Sequence, residues 1–168
     1  MAQSVPLVKV SELFQVGVVV DNLEESIKRY ESMLGIESWK IVTVDSSVVR
    51  MTYRGKDSLH SFKAAFTMLG ALMIELLEPL EGYGTYREFL DTRGEGVHHL
   101  GHVRVDNLDE AVGALEEAGF PCVETGENLG DPAGKYSHKW AYVDTTPALG
   151  YIIELSTGMD PRDSFKIL

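Results

Sequence analysis

Four side chains of this sequence have the types and spacing of a metal-ligand set: Gln15, Glu75, His99 and Glu154. One imidazole, two carboxylates and one amide oxygen form a hard-to-borderline donor group with no thiolate. Such a group suits an octahedral divalent ion (Co, Mn, Ni, Zn or Fe) with two positions left for water or substrate. What groups the four is a repeat. Phe14-Gln15-Val16-Gly17-Val18-Val19-Val20-Asp21-Asn22-Leu23 returns as His98-His99-Leu100-Gly101-His102-Val103-Arg104-Val105-Asp106-Asn107-Leu108. Each copy is a β-branched run, then Asp-Asn-Leu, then an acidic helical stretch. Each is followed by an apolar strand carrying one carboxylate, Met73-Ile74-Glu75-Leu76-Leu77 and Ile152-Ile153-Glu154-Leu155. Equivalent places in two copies put the four donors about an internal pseudo-two-fold axis.

Strand alternation gives these side chains a common direction. Gln15, Gly17 and Val19 share one face, and Phe14, Val16 and Val18 the other. Glu75 opposes Ile74 and Leu76, and Glu154 opposes Ile153 and Leu155. Bulky apolar residues belong against a helix, so the Gln-Gly face and the two carboxylates point into a cleft. Two carboxylates on apolar strands repel each other and resist ionisation unless a cation lies between them. Taken singly, each residue has a blander reading: a solvated strand Glu, a structural Gln, a core histidine. The equivalence of the four positions is what argues for a site. His98 and His102 are expected to share the face opposite His99 as packed histidines. His60 and His138 lie in loop-like contexts and are expected to be solvated, with His138, near Tyr136 and Lys139, a candidate for the cleft mouth. Arg50, Arg54 and Lys63 read as surface charges able to meet an anionic substrate, and Trp140 and Tyr142 as packing residues.

The elements that must hold these residues follow from pattern and punctuation. Strands are expected at 13–20, 38–45, 48–54, 61–68 and 71–78, with a helix after Asn22 that Gly35 stops and a turn at Gly55-Lys56-Asp57-Ser58. Residues 79–96 connect the halves, with a short helix from Tyr86 to Leu90. The second half expects a strand at 97–105, a helix capped by Asn107 through Glu117, and strands at 121–124, 139–144 and 150–156. Loops are expected at 126–137 and 145–148, and a polar tail at 157–168. The pattern is read as βαβββ twice, with one strand more in the first copy: module 1 (about 12–80), linker (81–95), module 2 (about 96–157) and tail (158–168), in a single domain over residues 1–168. The expected class is α+β, two tandem modules forming curved mixed sheets around a metal-binding cleft, with each helix on the outer face of its sheet.

Composition bounds the partners. The 168 residues are 44% hydrophobic with a formal charge of −11. This argues for a folded core and against a phosphate-tracking nucleic-acid binder. The one cysteine, Cys122, suits a reducing cytoplasm. The opening residues show no signal-peptide pattern, and no apolar run approaches the roughly 18 residues of a membrane span. A small-molecule substrate is the expected partner.

The repeat, with Ile74-Glu75-Leu76-Leu77-Glu78-Pro79, Gly94-Glu95-Gly96-Val97-His98-His99-Leu100-Gly101 and Gly150-Tyr151-Ile152-Ile153-Glu154-Leu155, resembles the vicinal oxygen chelate superfamily. That superfamily includes glyoxalase I, methylmalonyl-CoA epimerase, extradiol dioxygenases and bleomycin-resistance proteins, and the likeness spans residues 13–157. The IELLEP and GVHHLG stretches look most like methylmalonyl-CoA epimerases, which usually start with His where this chain has Gln15. A Gln, Glu, His, Glu set is instead similar to glyoxalase I of the eukaryotic type. The resemblance implies a homodimer, a metal coordinated by Gln15, Glu75, His99 and Glu154, and an enolate stabilised beside it, with Glu154 or Glu75 taking the α-proton. The expected activity is a metal-dependent isomerase, epimerase or lyase. A lactoylglutathione lyase, an Fe(II) dioxygenase and a non-catalytic binder of small molecules or antibiotics are the alternatives. One residue more separates His99 from Asp106 than Gln15 from Asp21, which a β-bulge would absorb. A bulge before Gly101 would turn His98 to the metal; the Gly-Val-His-His-Leu-Gly run favours His99.

Overall fold

The computed structural model describes residues 6–129, 137–160 and 162. Its elements are β1 (Gln15–Val19), α1 (Leu23–Leu34), β2 (Lys40–Val44), β3 (Val49–Tyr53), β4 (Lys56–Ser58), β5 (Phe62–Leu69), β6 (Leu72–Pro79), α2 (Thr85–Arg93), β7 (Gly96–Arg104), α3 (Leu108–Glu117), β8 (Cys122–Asn128), β9 (His138–Val143), α4 (Thr146–Leu149) and β10 (Ile152–Gly158). The repeated Asp-Asn-Leu works as a helix start in both copies. The Asn22 side chain accepts from the Glu25 N–H and that of Asn107 from the Glu110 N–H. Each cap is worth about 1 kcal/mol.

Among the described residues the strands form one mixed sheet in the order β2-β5-β6-β1-β7-β10-β9-β8-β3-β4. The two modules are therefore not separate sheets. β1 and β7 pair antiparallel at the centre, β6 pairs parallel to β1, and β10 parallel to β7. Outward from that seam, β1-β6-β5-β2 and β7-β10-β9-β8 are the same arrangement twice. α1 covers one outer face through Leu23, Ile27 and Tyr30 against Ala65, Ile74 and Leu76. α3 covers the other through Leu108, Ala111 and Leu115 against Ala141, Val143 and Leu155. The alternate positions, Glu75 and Leu77, Trp140 and Tyr142, Glu154 and Ser156, are left facing inward.

Module 1 carries one hairpin more than a βαβββ unit. β3 leaves its own half and pairs with β8, with β4 beyond it. Only Asp45–Val48 separates β2, at one end of the sheet, from β3, near the other. Five residue steps span at most about 18 Å. The sheet must curl until its ends nearly meet, and Val49, Phe62, Leu77, Val123 and Trp140 pack across the interior.

Local differences from the sequence reading have simple causes. The expected turn at 55–58 lies at Arg54 and Gly55, both at positive φ (49° and 74°), and Lys56–Ser58 is strand. This is the two-residue hairpin turn that matches strand twist. β8 runs to Asn128, past the expected end, because β3 pairs with it. Residues 145–148, expected as loop, include the single-turn α4. The remainder of the 126–137 loop and most of the tail lie outside the described residues.

Candidate metal centre

The four donors come together inside the curl. The ring of His99 on β7 is the hub. Its Nε2 lies 3.3 Å from Gln15 Oε1 on β1, 3.5 Å from a Glu75 oxygen on β6 and 3.4 Å from a Glu154 oxygen on β10. In sheet order the two carboxylates flank Gln15 and His99. All four side chains are buried, and here all come from one chain. Gln15 Nε2 donates to Met73 Sδ at 3.6 Å, which leaves its oxygen as the inward atom.

Two glycines make the convergence possible. A Cβ at Gly17 would lie 1.9 Å from His99 Cε1. A Cβ at Gly101 would lie 2.1 Å from Gln15 Oε1 and 2.4 Å from Glu154 Oε2. Two bulges in β7 decide which histidine enters. Val18 pairs with Val97 and Gly17 with His99, so His98 is the extra residue against β1. Opposite β10, Ile153 pairs with Leu100 and Leu155 with Val103, so Gly101 and His102 together face Glu154. His102 takes φ 50° there. His99 faces the site, and His98 lies beside it on the inner side, against Tyr86 and Phe89 of α2 and Tyr142 of β9.

His98 is more than a packed residue. Its Nδ1 lies 2.9 Å from His99 Nδ1, and its Nε2 3.0 Å from Thr85 Oγ1. Burial, followed by the neighbouring His99 charge, pushes the His98 pKa well below its ordinary value, so the ring is neutral. With His99 Nε2 directed to the donors, this network assigns the His99 proton to Nδ1, donated to His98; His98 then donates from Nε2 to Thr85. Such partners fix ring orientation and tautomer in metal-ligating histidines.

Electrostatics separates the two carboxyls. Burial pushes the Glu75 pKa up, against the His99 contact that lowers it. Burial also opposes ionisation of Glu154, but His102 and His99 outweigh it and hold the carboxyl down at about 2. Burial pushes His102 itself down to about 4, so at neutral pH His99 is the cation that faces Glu154. Burial alone would depress His99, yet its bonds to Glu154 and Glu75 raise it to about 9.

Measured from His99 Nε2, the three donor distances suit ligands about one divalent ion, while Glu75 and Glu154, on opposite flanks, must close towards each other to share it. Donors about 2.1 Å from a common centre are separated by about 3.0 Å in an octahedron and about 3.4 Å in a tetrahedron. The 3.3–3.5 Å distances about His99 lie at the upper end of that range. Two buried carboxylates compensated by one histidine also form a site that a 2+ charge relieves. Gln15, Glu75 and Glu154 border a cavity of about 260 Å³, whose wall includes Phe62, Phe66, Trp140 and Tyr142, with Lys40 also lining it; His99 lies fully buried behind them.

A family model described as the glyoxalase/bleomycin resistance protein/dioxygenase superfamily matches residues 14–142. The chain belongs to this superfamily. The chain is also 25% identical to the uncharacterized Bacillus subtilis (strain 168) protein YqjC over 145 residues, 86% of this chain and 91% of that protein. The fold is similar to that of methylmalonyl-CoA epimerase from Mycobacterium tuberculosis (TM-score 0.57, 22% identity, 96% of this chain and 97% of that one). It is also similar to a Streptomyces coelicolor methylmalonyl-CoA epimerase variant in complex with 2-nitronate-propionyl-CoA (TM-score 0.57, 18% identity, 90% and 100%). The superfamily fold accounts for the doubled module and the curled sheet.

Several residues of this superfamily member lie elsewhere than the pattern implied. Neither His98 nor His102 lies on the face opposite His99: the first bulge leaves His98 against Tyr86 and Tyr142 inside the curl, and the bulge at Gly101 and His102 turns the His102 ring into the cavity. His60 is buried rather than solvated, 2.8 Å from Ser58 Oγ and 3.4 Å from a Glu124 oxygen. Glu124, which nothing in the sequence singled out, also accepts from the Thr85 N–H at 2.9 Å and caps α2. Its only sequence signal is a carboxylate between β-formers. His138 borders the cavity; Tyr136 lies outside the described residues. Arg50, Arg54 and Lys63 do not line the cavity, and Arg54 pairs with Glu88 instead. Trp140 and Tyr142 pack as expected, and Tyr142 also lies against the His99 ring, centroids 4.8 Å apart.

Proposed function

We propose that this chain is a divalent-metal-dependent isomerase, epimerase or lyase that removes an α-proton from a small carbonyl or acyl-thioester substrate. The observation that carries the reading is the convergence of Gln15, Glu75 and Glu154 on His99 Nε2 within 3.5 Å, at the wall of a cavity. A bound divalent ion supplies Lewis acidity to a substrate oxygen. The chain's own groups handle the proton. Glu154, held ionised, accepts it as the C–H electron pair passes into the enolate. Glu75, on the opposite flank and with its pKa raised, is suited to return a proton from the other side. His99, Gln15 and the glycines beside them keep the donors at fixed separations.

The cavity limits the substrate. Its 260 Å³ is below the roughly 300–1,000 Å³ of drug-sized pockets, so the reacting moiety is small and a larger carrier extends past Lys40. The fold shared with methylmalonyl-CoA epimerases supports an acyl thioester as the first substrate to try. The lone Cys122 supports a cytoplasmic setting. The test is incorporation of solvent deuterium at the α-carbon of acyl thioesters and hemithioacetals by metal-loaded protein. Exchange is expected in the parent, and a loss of at least 100-fold in Glu154→Gln and Glu75→Gln. Absence of exchange across the panel would overturn the reading.

A further inference from the structure

We propose that His102, His138 and Glu154 form a second divalent-cation site, sharing Glu154 with the first. It rests on the reading of Gln15, Glu75, His99 and Glu154 as a metal centre. One ring nitrogen of each histidine and one Glu154 oxygen lie within 4.8 Å of one another. The two rings are neighbours, centroids 5.3 Å apart, and both border the cavity.

Three features make this a prepared set. His102 reaches the cavity only because its backbone takes φ 50°, a conformation costly for a residue with a Cβ. Uninterrupted alternation would have sent the ring to the helix-covered face with Val103's neighbours. Its orientation is then held from two sides: Phe14 stacks on the ring at 5.0 Å and 6°, and Ser156 Oγ lies 3.2 Å from Nδ1. A bond from Nδ1–H to Ser156 leaves Nε2 with its lone pair for an ion, the usual arrangement of a ligating histidine. On β9, the His138 Nδ1 atom is buried and makes no hydrogen bond of good geometry among the described residues, with only the Thr157 backbone near the ring as a weak partner, although a buried ring nitrogen ordinarily makes one. Glu154, opposite the bulge, turns one oxygen both to His99 Nε2 and to the His102 N–H, each at 3.4 Å, which leaves its other oxygen for a second ion.

Two histidines and a carboxylate suit Zn²⁺, Co²⁺ or Fe²⁺. Bonds of about 2.0–2.1 Å need donors closer than 4.8 Å, so the rings must close in by about 1 Å. A carboxylate between two ions is the usual bridge of centres about 3.5–4 Å apart. With both sites filled, the two ions would exceed the charge of Glu75 and Glu154, and the cavity would favour an anionic ligand.

The test is native mass spectrometry of metal-free protein loaded with Zn²⁺, with circular dichroism to confirm the fold of every variant. Two ions are expected in the parent, one in His138→Gln, one in His102→Asn, one in His99→Ala and none in Glu154→Ala. Asparagine is chosen at 102 because it tolerates the left-handed backbone. One ion in the parent that His138→Gln and His102→Asn both keep would overturn the second site and leave the first. One ion that those variants lose and His99→Ala keeps would support the second site and overturn the four-donor reading. No ion in the parent would overturn both.

Discussion

A single methyl group at Gly17 would separate a site that needs its glycines from one that merely contains them. The added Cβ would lie 1.9 Å from His99 Cε1 and 2.4 Å from both ring nitrogens, where ordinary contact begins at 3.4 Å. The ring must withdraw by about 1.5 Å, while ligand distances in a metal site tolerate about 0.2 Å. Withdrawal is blocked behind by Tyr142 and His98, each already in contact. A misplacement near 1 Å costs on the order of 100-fold in function, and overpacking costs about 1–3 kcal/mol. Gly17→Ala is therefore expected to weaken Zn²⁺ or Co²⁺ binding at least 100-fold in a chelator competition and to lower the Tm of the metal-free protein by several degrees. Gly113→Ala is the control. It sits in α3 with nothing within 4 Å of its added Cβ, and should leave metal affinity unchanged while raising stability by about 0.5–1 kcal/mol. A Gly17→Ala protein that binds metal within threefold of the parent would refute the packing argument.

Metal affinity should depend on pH. With His99 at about 9 in the metal-free protein, an ion must displace its proton, so affinity falls about tenfold per unit as pH drops below that value; a flat profile from 6 to 9 would contradict the assignment. The same shift sets a stability trend. The folded pKa is above the ordinary 6.5, so this proton stabilises fully below 6.5 and the gain is lost as pH rises through about 9, visible as a falling Tm in the metal-free protein and not in the loaded one. His98→Ala should lower metal affinity by about 10–100-fold with recovery in His98→Gln, which keeps an acceptor for His99; equal losses in both would make the role one of packing alone. Glu124→Ala should cost about 1–3 kcal/mol in thermal or urea unfolding by stripping the buried Thr85 N–H of its partner, without changing the metal content of the folded fraction.

The convergence of Gln15, Glu75, His99 and Glu154 was legible because its information is local and doubled. A carboxylate between apolar neighbours faces away from a helix in each copy, and the repeat brings Gln15 and Glu75 onto the same axis as His99 and Glu154. Even the extra residue after His99 announced a bulge. What alternation cannot say is where a bulge falls, and β7 has two. One turns His98 inward beside Tyr86 and Tyr142, and the other turns His102 into the cavity, so two histidines expected on the face opposite His99 lie on the same side as it. The destination of β3 was illegible for another reason: its partner β8 is some seventy residues away, and nothing in Val49–Tyr53 names it. The burial of His60 follows from the same closure, since Glu124 on β8 reaches it only once the sheet has curled.

The hairpin that crosses from one half to the other also has a bearing on synthesis. As the chain leaves the ribosome, Val49–Ser58 is complete long before Cys122–Asn128 exists to receive it. Until then its strand edge and the inward faces of Val49 and Met51 have no partner, a state prone to pairing with other chains. The first module can nucleate early but cannot finish alone, and neither half can be excised without leaving a raw edge in the other. The duplication that is still readable in the sequence is therefore expected to fold as one unit.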